Sequence, residues 1–260
     1  MNQQLSISEI RQRLLNEQLS AAELVALKLD KRAGVRKLIA AEERRAEKTK
    51  ALQAKAERML VFERELWLKG IELVAGVDEV GRGPLAGPVL AAAVILKPGH
   101  SILSLDDSKK LSEKKRQALL EKIKDSALCF AYGSASPKEI DELNIFQASF
   151  LAMRRAVDAL AQSPEHLLID GGYQIKDVPI AQQAIVGGDG KSQSIAAASV
   201  LAKVERDALM ENYAEEFPEY GFGTHAGYPT AAHLDALQKH GPSPIHRRSF
   251  GPVKRCRGHK

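Results

Sequence analysis

The chain has 260 residues, long enough for one large domain with a smaller attachment, and its two cysteines, Cys129 and Cys256, share neither surroundings nor ligand-like spacing, which argues for a reduced protein without disulfide staples. The N-terminus lacks the apolar core of a secretory leader and no stretch approaches the ~18 apolar residues of a membrane span, so the expectation is a soluble, cytoplasmic chain. The net charge of +5 divides into +5 over residues 1–70, −7 over 71–238 and +7 over 239–260, which disfavours a passive nucleic-acid coat, basic throughout, and suits a protein holding cations at its centre and phosphates at its edges.

Residues 1–70 read as a helical extension. Ser6 with Glu9 has the form of a capping box ahead of Ile7, Ile10, Leu14 and Leu15 at helical spacing. A second helix is predicted from Ser20, with Ala21, Leu24, Val25 and Leu29 on its apolar side. Ala40 to Trp67, free of Gly and Pro, reads as one solvent-facing helix with an apolar stripe through Leu52, Ala56, Met59, Leu60 and Trp67. It is either a basic arm for nucleic acid or a packing helix.

At Gly70 the character changes, and residues 71–260 read as the main domain. IELVAGVDEV (71–80), VLAAAVIL (89–96) and LCFAYG (128–133) have the pattern of buried strands, with a polar helix from Ser112 to Lys124 before the third. A helix from Ser149 to Leu160, a strand from His166 to Asp170 and a short strand over 184–186 follow. Ser192 to Glu216 reads as a long helix and Thr230 to His240 as the last one, while the tail from Gly251 reads as mobile. Strands in a meander, then strands alternating with helices, predict an α/β chain with a mixed sheet covered by helices.

The segment Val77-Asp78-Glu79-Val80-Gly81-Arg82-Gly83 places two adjacent carboxylates at the end of an apolar strand. Buried there, two negative charges repel and lose hydration unless a cation or proton compensates them. A divalent ion such as Mg²⁺ accepts carboxylate oxygens while keeping several waters. A strand end with two surface acids is the plainer alternative. Asp170 ends another strand before Gly171-Gly172, and Asp189 lies in Gly187-Gly188-Asp189-Gly190 just ahead of a helix. Glycines beside each acid permit close approach of a ligand to the backbone. If the strands lie side by side, Asp78, Glu79, Asp170 and Asp189 converge. Four such acids could hold two divalent ions that clamp the attacking water and leaving oxygen of a phosphodiester.

Two phosphate-loop patterns are weaker. Gly81-Arg82-Gly83 follows a strand as in a dinucleotide loop, but Pro84 removes a backbone donor and no helix signature follows. Gly190-Lys191-Ser192 resembles the end of a P-loop, yet Ile185 stands where its first glycine belongs. His225, His233, His240 and His246 are too irregular for a zinc site and read as surface, capping or phosphate-contact residues.

VDEVGRGPLAGPVLAAAVIL (77–96), DSKKLSEKKR (107–116), LLIDG (167–171), SIAAASVLAKVERD (194–207) and YGFGTHAGYPTAAHLDALQKHGPSPIHRRSF (220–250) resemble bacterial ribonuclease HII, in the same order. The resemblance implies a ribonuclease H-like fold and an endonuclease that hydrolyses the RNA strand of RNA/DNA hybrids. It implies cutting 5′ of ribonucleotides, including single ones embedded in DNA, with 3′-OH and 5′-phosphate ends. By resemblance, Asp78, Glu79, Asp170 and Asp189 match the family's catalytic, metal-binding carboxylates, with Asp207 a rival for the fourth place. Mn²⁺ or Mg²⁺ would serve, two ions in the catalytic complex. Gly81, Arg82 and Gly83 match the motif that approaches the ribose, and Tyr228 the tyrosine that stacks at the RNA–DNA junction. Lys109 and Lys110 are candidate phosphate contacts. The sister ribonuclease HIII and a non-catalytic nucleic-acid-binding protein are the alternatives, and nothing suggests an obligate dimer.

Overall fold

A computed structural model describes residues 5–16, 18–106, 108 and 111–256. Lys109 and Lys110 therefore lie outside the described residues. The chain divides into two compact units, Met1–Lys55 and Ala56–Lys260.

The first unit is helical: α1 (Ile7–Leu15), α2 (Ala21–Lys28) and most of α3 (Ala33–Arg58). Capping boxes form at Ser6 with Glu9 and at Ser20 with Glu23, each satisfying two otherwise orphaned groups of a first turn. Ile10, Val35 and Ile39 make a small core with Leu5, Leu14, Leu27 and Leu38 around it. The inner side of α2 is therefore not the predicted one, since Val25 and Leu29 are exposed.

The charged stretch is not a single helix. After α3, Met59 and Leu60 form a turn, and α4 (Val61–Trp67) follows. The break buries both residues, at 2% and 1% exposure, which an uninterrupted helix would have placed on successive faces. Nor does α4 face solvent throughout, because Glu63 is buried.

The larger unit continues with β1 (Val74–Val80), β2 (Val89–Leu96), α5 (Glu113–Ser126), β3 (Ala127–Ala135), α6 (Pro137–Leu143) and α7 (Ile145–Asp158). Then come β4 (His166–Asp170), β5 (Ala181–Ile185), α8 (Gln193–Glu216), α9 (Phe222–His225), α10 (Ala231–His240) and α11 (Gly251–Arg255). The sheet order is β3-β2-β1-β4-β5; β1, β2 and β3 pair antiparallel, while β1, β4 and β5 pair parallel. It is the expected mixed sheet flanked by helices.

Close helix–sheet packing follows from small residues. Every residue of β2 is buried, and its Ala91-Ala92-Ala93 lets helices approach both faces. A Cβ on Gly76 would lie 2.0 Å from the Ser194 carbonyl carbon of α8, and one on Gly133 would lie 2.2 Å from the Ala152 oxygen of α7. These two glycines set how near the central helices come to the sheet.

Several local readings differ from expectation: the short strand predicted over 184–186 is β5, Ala181–Ile185, and α9 was not predicted. The helix predicted from Ser149 starts at Ile145, because Asn144 caps it by accepting from the N–H groups of Phe146 and Gln147. A capping box at Ser136 and Glu139 opens the unpredicted α6. The predicted mobile tail is helical over Gly251–Arg255, and Val253 is fully buried with Leu85 and Leu237. Phe250 and Cys256 pack on the same small core. Among the described residues no helix is long and apolar enough to cross a membrane.

Candidate active site

The site is assembled at the carboxyl ends of β1 and β4. Parallel pairing places Val77 beside Ile169, so the next positions are Asp78 and Asp170. Successive side chains alternate across a strand. Gly76 and Leu168 both meet α8, so Asp78 and Asp170, two residues on, face that helix as well. Glu79 leaves the opposite face. Side-chain parity and one parallel register are enough to bring two acids from distant sequence together.

Asp78 is only 5% exposed. Burial raises its pKa well above the ordinary carboxylate range, and the charges of Glu79 and Asp170 raise it further. A hydrogen bond with Ser199 and another from the Glu79 N–H, 2.7 Å from Oδ1, oppose that shift. Burial also raises the Glu79 carboxyl, while Arg82 beside it pulls in the other direction. The Arg82 guanidinium lies 3.3 Å from Glu79 Oε1 and about 6.0 Å from the centre of the Phe146 ring.

Asp170 accepts from the Gly188 N–H at 2.7 Å, which draws the Gly188–Gly190 turn, with Asp189 at its middle, to the end of β4. A Cβ at Gly188 would meet the terminal methyl of Ile195 at 2.5 Å, so the glycine lets the turn pack against that side chain without displacing it. The turn leads into α8 through Ser192, whose hydroxyl caps the Ile195 N–H. Glu63 then anchors this helix start: one carboxylate oxygen accepts from the Ser192 hydroxyl at 2.6 Å, the Ser194 N–H at 2.9 Å and the Ser194 hydroxyl at 2.7 Å. An anion at a helix N-terminus is favoured by the exposed N–H groups and the helix dipole.

Asp207, the rival acid, is held by Lys203 and by Arg116 at 3.5 Å. It lies eight residues beyond Ser199, or ~12 Å further along α8. Among the described residues no three Asp, Glu, His or Cys side chains already stand at metal-ligand spacing. The acids nearest one another are tied instead to Ser199, Arg82 and the Gly188 N–H. The donor set is nonetheless all oxygen, with two buried carboxyls that repel a third, and this chemistry fits hard divalent cations.

A loop joins this acidic edge. Gly81 has φ +91° and a Cβ there would strike the Arg206 side chain at 2.2 Å. A Cβ on Gly83 would touch the Tyr228 ring at 3.4 Å, so the glycine loop and the tyrosine are neighbours. Tyr228 is 43% exposed. Ser108, next to the undescribed lysines, bonds Ser199 at 2.9 Å, and Ser199 bonds Asp78. A two-serine chain thus links the Ser108 segment to the first acid.

Several supporting residues escaped the sequence reading. Glu63 sits on the apolar stripe of its segment, and Ser199 and Arg206 share a stripe of α8 with Ala202 and Met210. A polar residue on an apolar face was the available signal. His233, His246 and Arg247 carry no such signature, yet all three are buried, which corrects the reading of these histidines as surface residues. His240 remains exposed.

The family model described as Ribonuclease HII matches residues 75–253, and that of the Ribonuclease HII N-terminal domain matches residues 6–67. Ribonuclease HII of Dechloromonas aromatica is 59% identical over 186 residues, covering 71% of this chain and 94% of its own. Ribonuclease HII of Bacillus licheniformis is 53% identical over 208 residues, covering 80% and 81%. The crystal structure of ribonuclease H2 from Pyrococcus horikoshii superposes with a TM-score of 0.59 at 26% identity, covering 70% of this chain and 96% of that one. Matches of this extent over both segments show that the chain belongs to the ribonuclease HII family, whose members are endoribonucleases.

Proposed function

We propose that this enzyme cuts the RNA strand of RNA/DNA hybrids, and DNA carrying single ribonucleotides, on the 5′ side of a ribonucleotide, leaving 3′-OH and 5′-phosphate ends. The observation that carries the reading is the placing of Gly83 beside the Tyr228 ring, so near that a Cβ there would touch it, next to the acidic strand ends of Asp78 and Asp170. A sugar-reading loop and a stacking ring there adjoin carboxylates suited to the scissile phosphate.

Asp78, Glu79, Asp170 and Asp189 would hold two divalent ions, Mn²⁺ or Mg²⁺, since both prefer oxygen ligands. Bound there, such ions supply an activated water and offset charge on the departing 3′ oxygen. The protein's own residues do the rest. Gly81 and Gly83 let the backbone approach a 2′-OH, the group that separates RNA from DNA. Tyr228 offers a partly exposed face for stacking. Lys109 and Lys110 are the proposed phosphate contacts, and Ser199 lies between Asp78 and Ser108.

Residues 1–70 are proposed as a substrate-binding arm ahead of the catalytic domain of 71–260. Deleting only residues 1–55 tests the arm, because Ala56, Met59 and Glu63 bond the start of α8. The expected result is a higher KM and a shallower salt dependence of binding. Unchanged binding would remove that role.

The primary test is cleavage of a labelled duplex with one ribonucleotide, beside an all-RNA/DNA hybrid, with Mn²⁺ or Mg²⁺ and with chelator. A chelator-sensitive cut 5′ to the lone ribonucleotide supports the proposal. Cleavage of the hybrid alone would favour a ribonuclease HIII-like preference, and binding without cleavage a non-catalytic role.

A further inference from the structure

Residues 245–247 run antiparallel to 85–87. Gly87 donates to the Ile245 carbonyl at 2.9 Å, Arg247 donates to that of Leu85 at 2.8 Å, and Ala86 bridges His246. In such extended backbone, neighbouring side chains leave on opposite sides. His246 and Arg247 therefore reach two different places from one fixed backbone.

Arg247 is fully buried and reaches the glycine loop. Its guanidinium donates to the carbonyls of Gly81, Arg82 (2.9 Å) and Gly87 (2.9 Å). Every one of these partners is a backbone acceptor. The arginine thus holds the loop that carries Gly83 through its carbonyls.

His246 reaches the tyrosine through a second histidine. The Ser243 N–H lies 3.0 Å from His246 Nδ1, and a backbone N–H can only donate, so Nδ1 accepts. A neutral His246 then carries its proton on Nε2, which lies 3.1 Å from His233 Nε2. His233 Nε2 must accept, which leaves the proton of His233 on Nδ1, 2.8 Å from the Tyr228 carbonyl. The polarity of the chain is fixed at each step. Burial lowers the pKa of both rings, His246 to about 4, in keeping with neutral imidazoles. Thr230 donates to the same Tyr228 carbonyl, while Tyr220 and Phe222 pack on the His246 ring.

We propose that His233, its tautomer set by His246, is a positioning residue that fixes Tyr228 against the Gly81–Gly83 loop, itself held by Arg247, and so sets how a ribonucleotide is bound. The proposal rests on the reading above that the loop and Tyr228 contact the ribonucleotide.

Two substitutions of similar size and polarity test it. In His233→Asn the amide nitrogen can take the place of Nδ1 and keep the donor to Tyr228; in His233→Gln it falls near Nε2 and the donor is lost. With a single-ribonucleotide duplex, H233Q should raise KM about 10-fold or more, with kcat changed far less, as loss of a contact made equally in ground and transition states does. H233N should recover most of that loss. A base analogue such as 2-aminopurine beside the ribonucleotide should report weaker stacking in H233Q only.

Tyr228→Ala separates this proposal from the reading beneath it. If Y228A is harmless, the recognition role of Tyr228 fails. If Y228A is impaired and H233Q matches H233N, the positioning role of His233 is refuted. The H233Q/Y228A double variant should be no worse than Y228A alone, and additive losses would also overturn it. So would failure of both His233 variants to fold, which would make the pair simple core support.

Discussion

Two polar regions lie within a few residues of each other and are built on opposite terms. At the acidic edge, the buried Asp78 and the largely buried Glu79 have carboxyls with raised pKa, crowded by Asp170 and incompletely compensated by Ser199 and Arg82. Behind the loop, Arg206, Arg247, His233 and His246 are more deeply buried, yet they are held by directed hydrogen bonds to fixed partners. The first region stores repulsion that a cation would relieve, and the second spends its polar groups on geometry. Buried polarity therefore marks a reactive place where partners are lacking and a scaffold where they are complete.

Asp78→Asn should break the first region most sharply. Turnover should fall by ~10²–10³-fold, the scale of losing one electrostatic stabiliser at a reacting centre. Hybrid binding should persist, and the metal-free protein should melt higher, on the order of a few °C, because a crowded charge has gone. Normal turnover in a cleavage assay would refute the site.

Arg247→Met is the counterpart in the second region. It leaves the Gly81, Arg82 and Gly87 carbonyls without their donor, at a cost of about 3 kcal/mol or more in urea unfolding. A loss below ~0.5 kcal/mol would show that water replaces the guanidinium readily.

Acid should weaken the scaffold. The folded pKa of His246 is held near 4 by burial, below the ordinary 6.5, so between those values the unfolded chain binds a proton that the folded one refuses. Stability is then complete above pH 6.5 and falls as pH drops toward 4, by up to ~3 kcal/mol. His233, also lowered, acts in the same direction. Chemical denaturation at pH 7 and at pH 4.5 reads the slope, and His246→Gln should flatten it.

The smallest effect expected is at the boundary. Arg82 is half exposed and 3.3 Å from Glu79, so its ion pair is worth at most ~1 kcal/mol. Arg82→Ala should tighten Mn²⁺ binding a few-fold in calorimetry, since the ion no longer competes with the guanidinium. Weaker binding would show that Arg82 does not oppose the ion.

Much of the fold was legible because its signals are local. Ser192, Ser112 and Thr230 mark helix starts, and the apolar runs of β1, β2 and β4 are short and bounded by turn residues, as buried strands are. The acids stood out because charge at the end of an apolar strand is rare. What was missed depended on neighbours distant in sequence: the turn at Met59-Leu60, the ordering of Gly251–Arg255 around Val253, and the burial of Glu63.

By itself the sequence determined most of the element types and the resemblance to ribonuclease HII, because periodicity, caps and long ordered motifs are written along the chain. Only the tertiary structure decided that Asp78 and Asp170 share a face, that Asp207 is tied to Lys203 and Arg116, and that two histidines and an arginine brace the loop and Tyr228. Strand register, burial and hydrogen-bond polarity are relations between segments, and the pairing of 85–87 with 245–247 spans far more chain than any local pattern can encode.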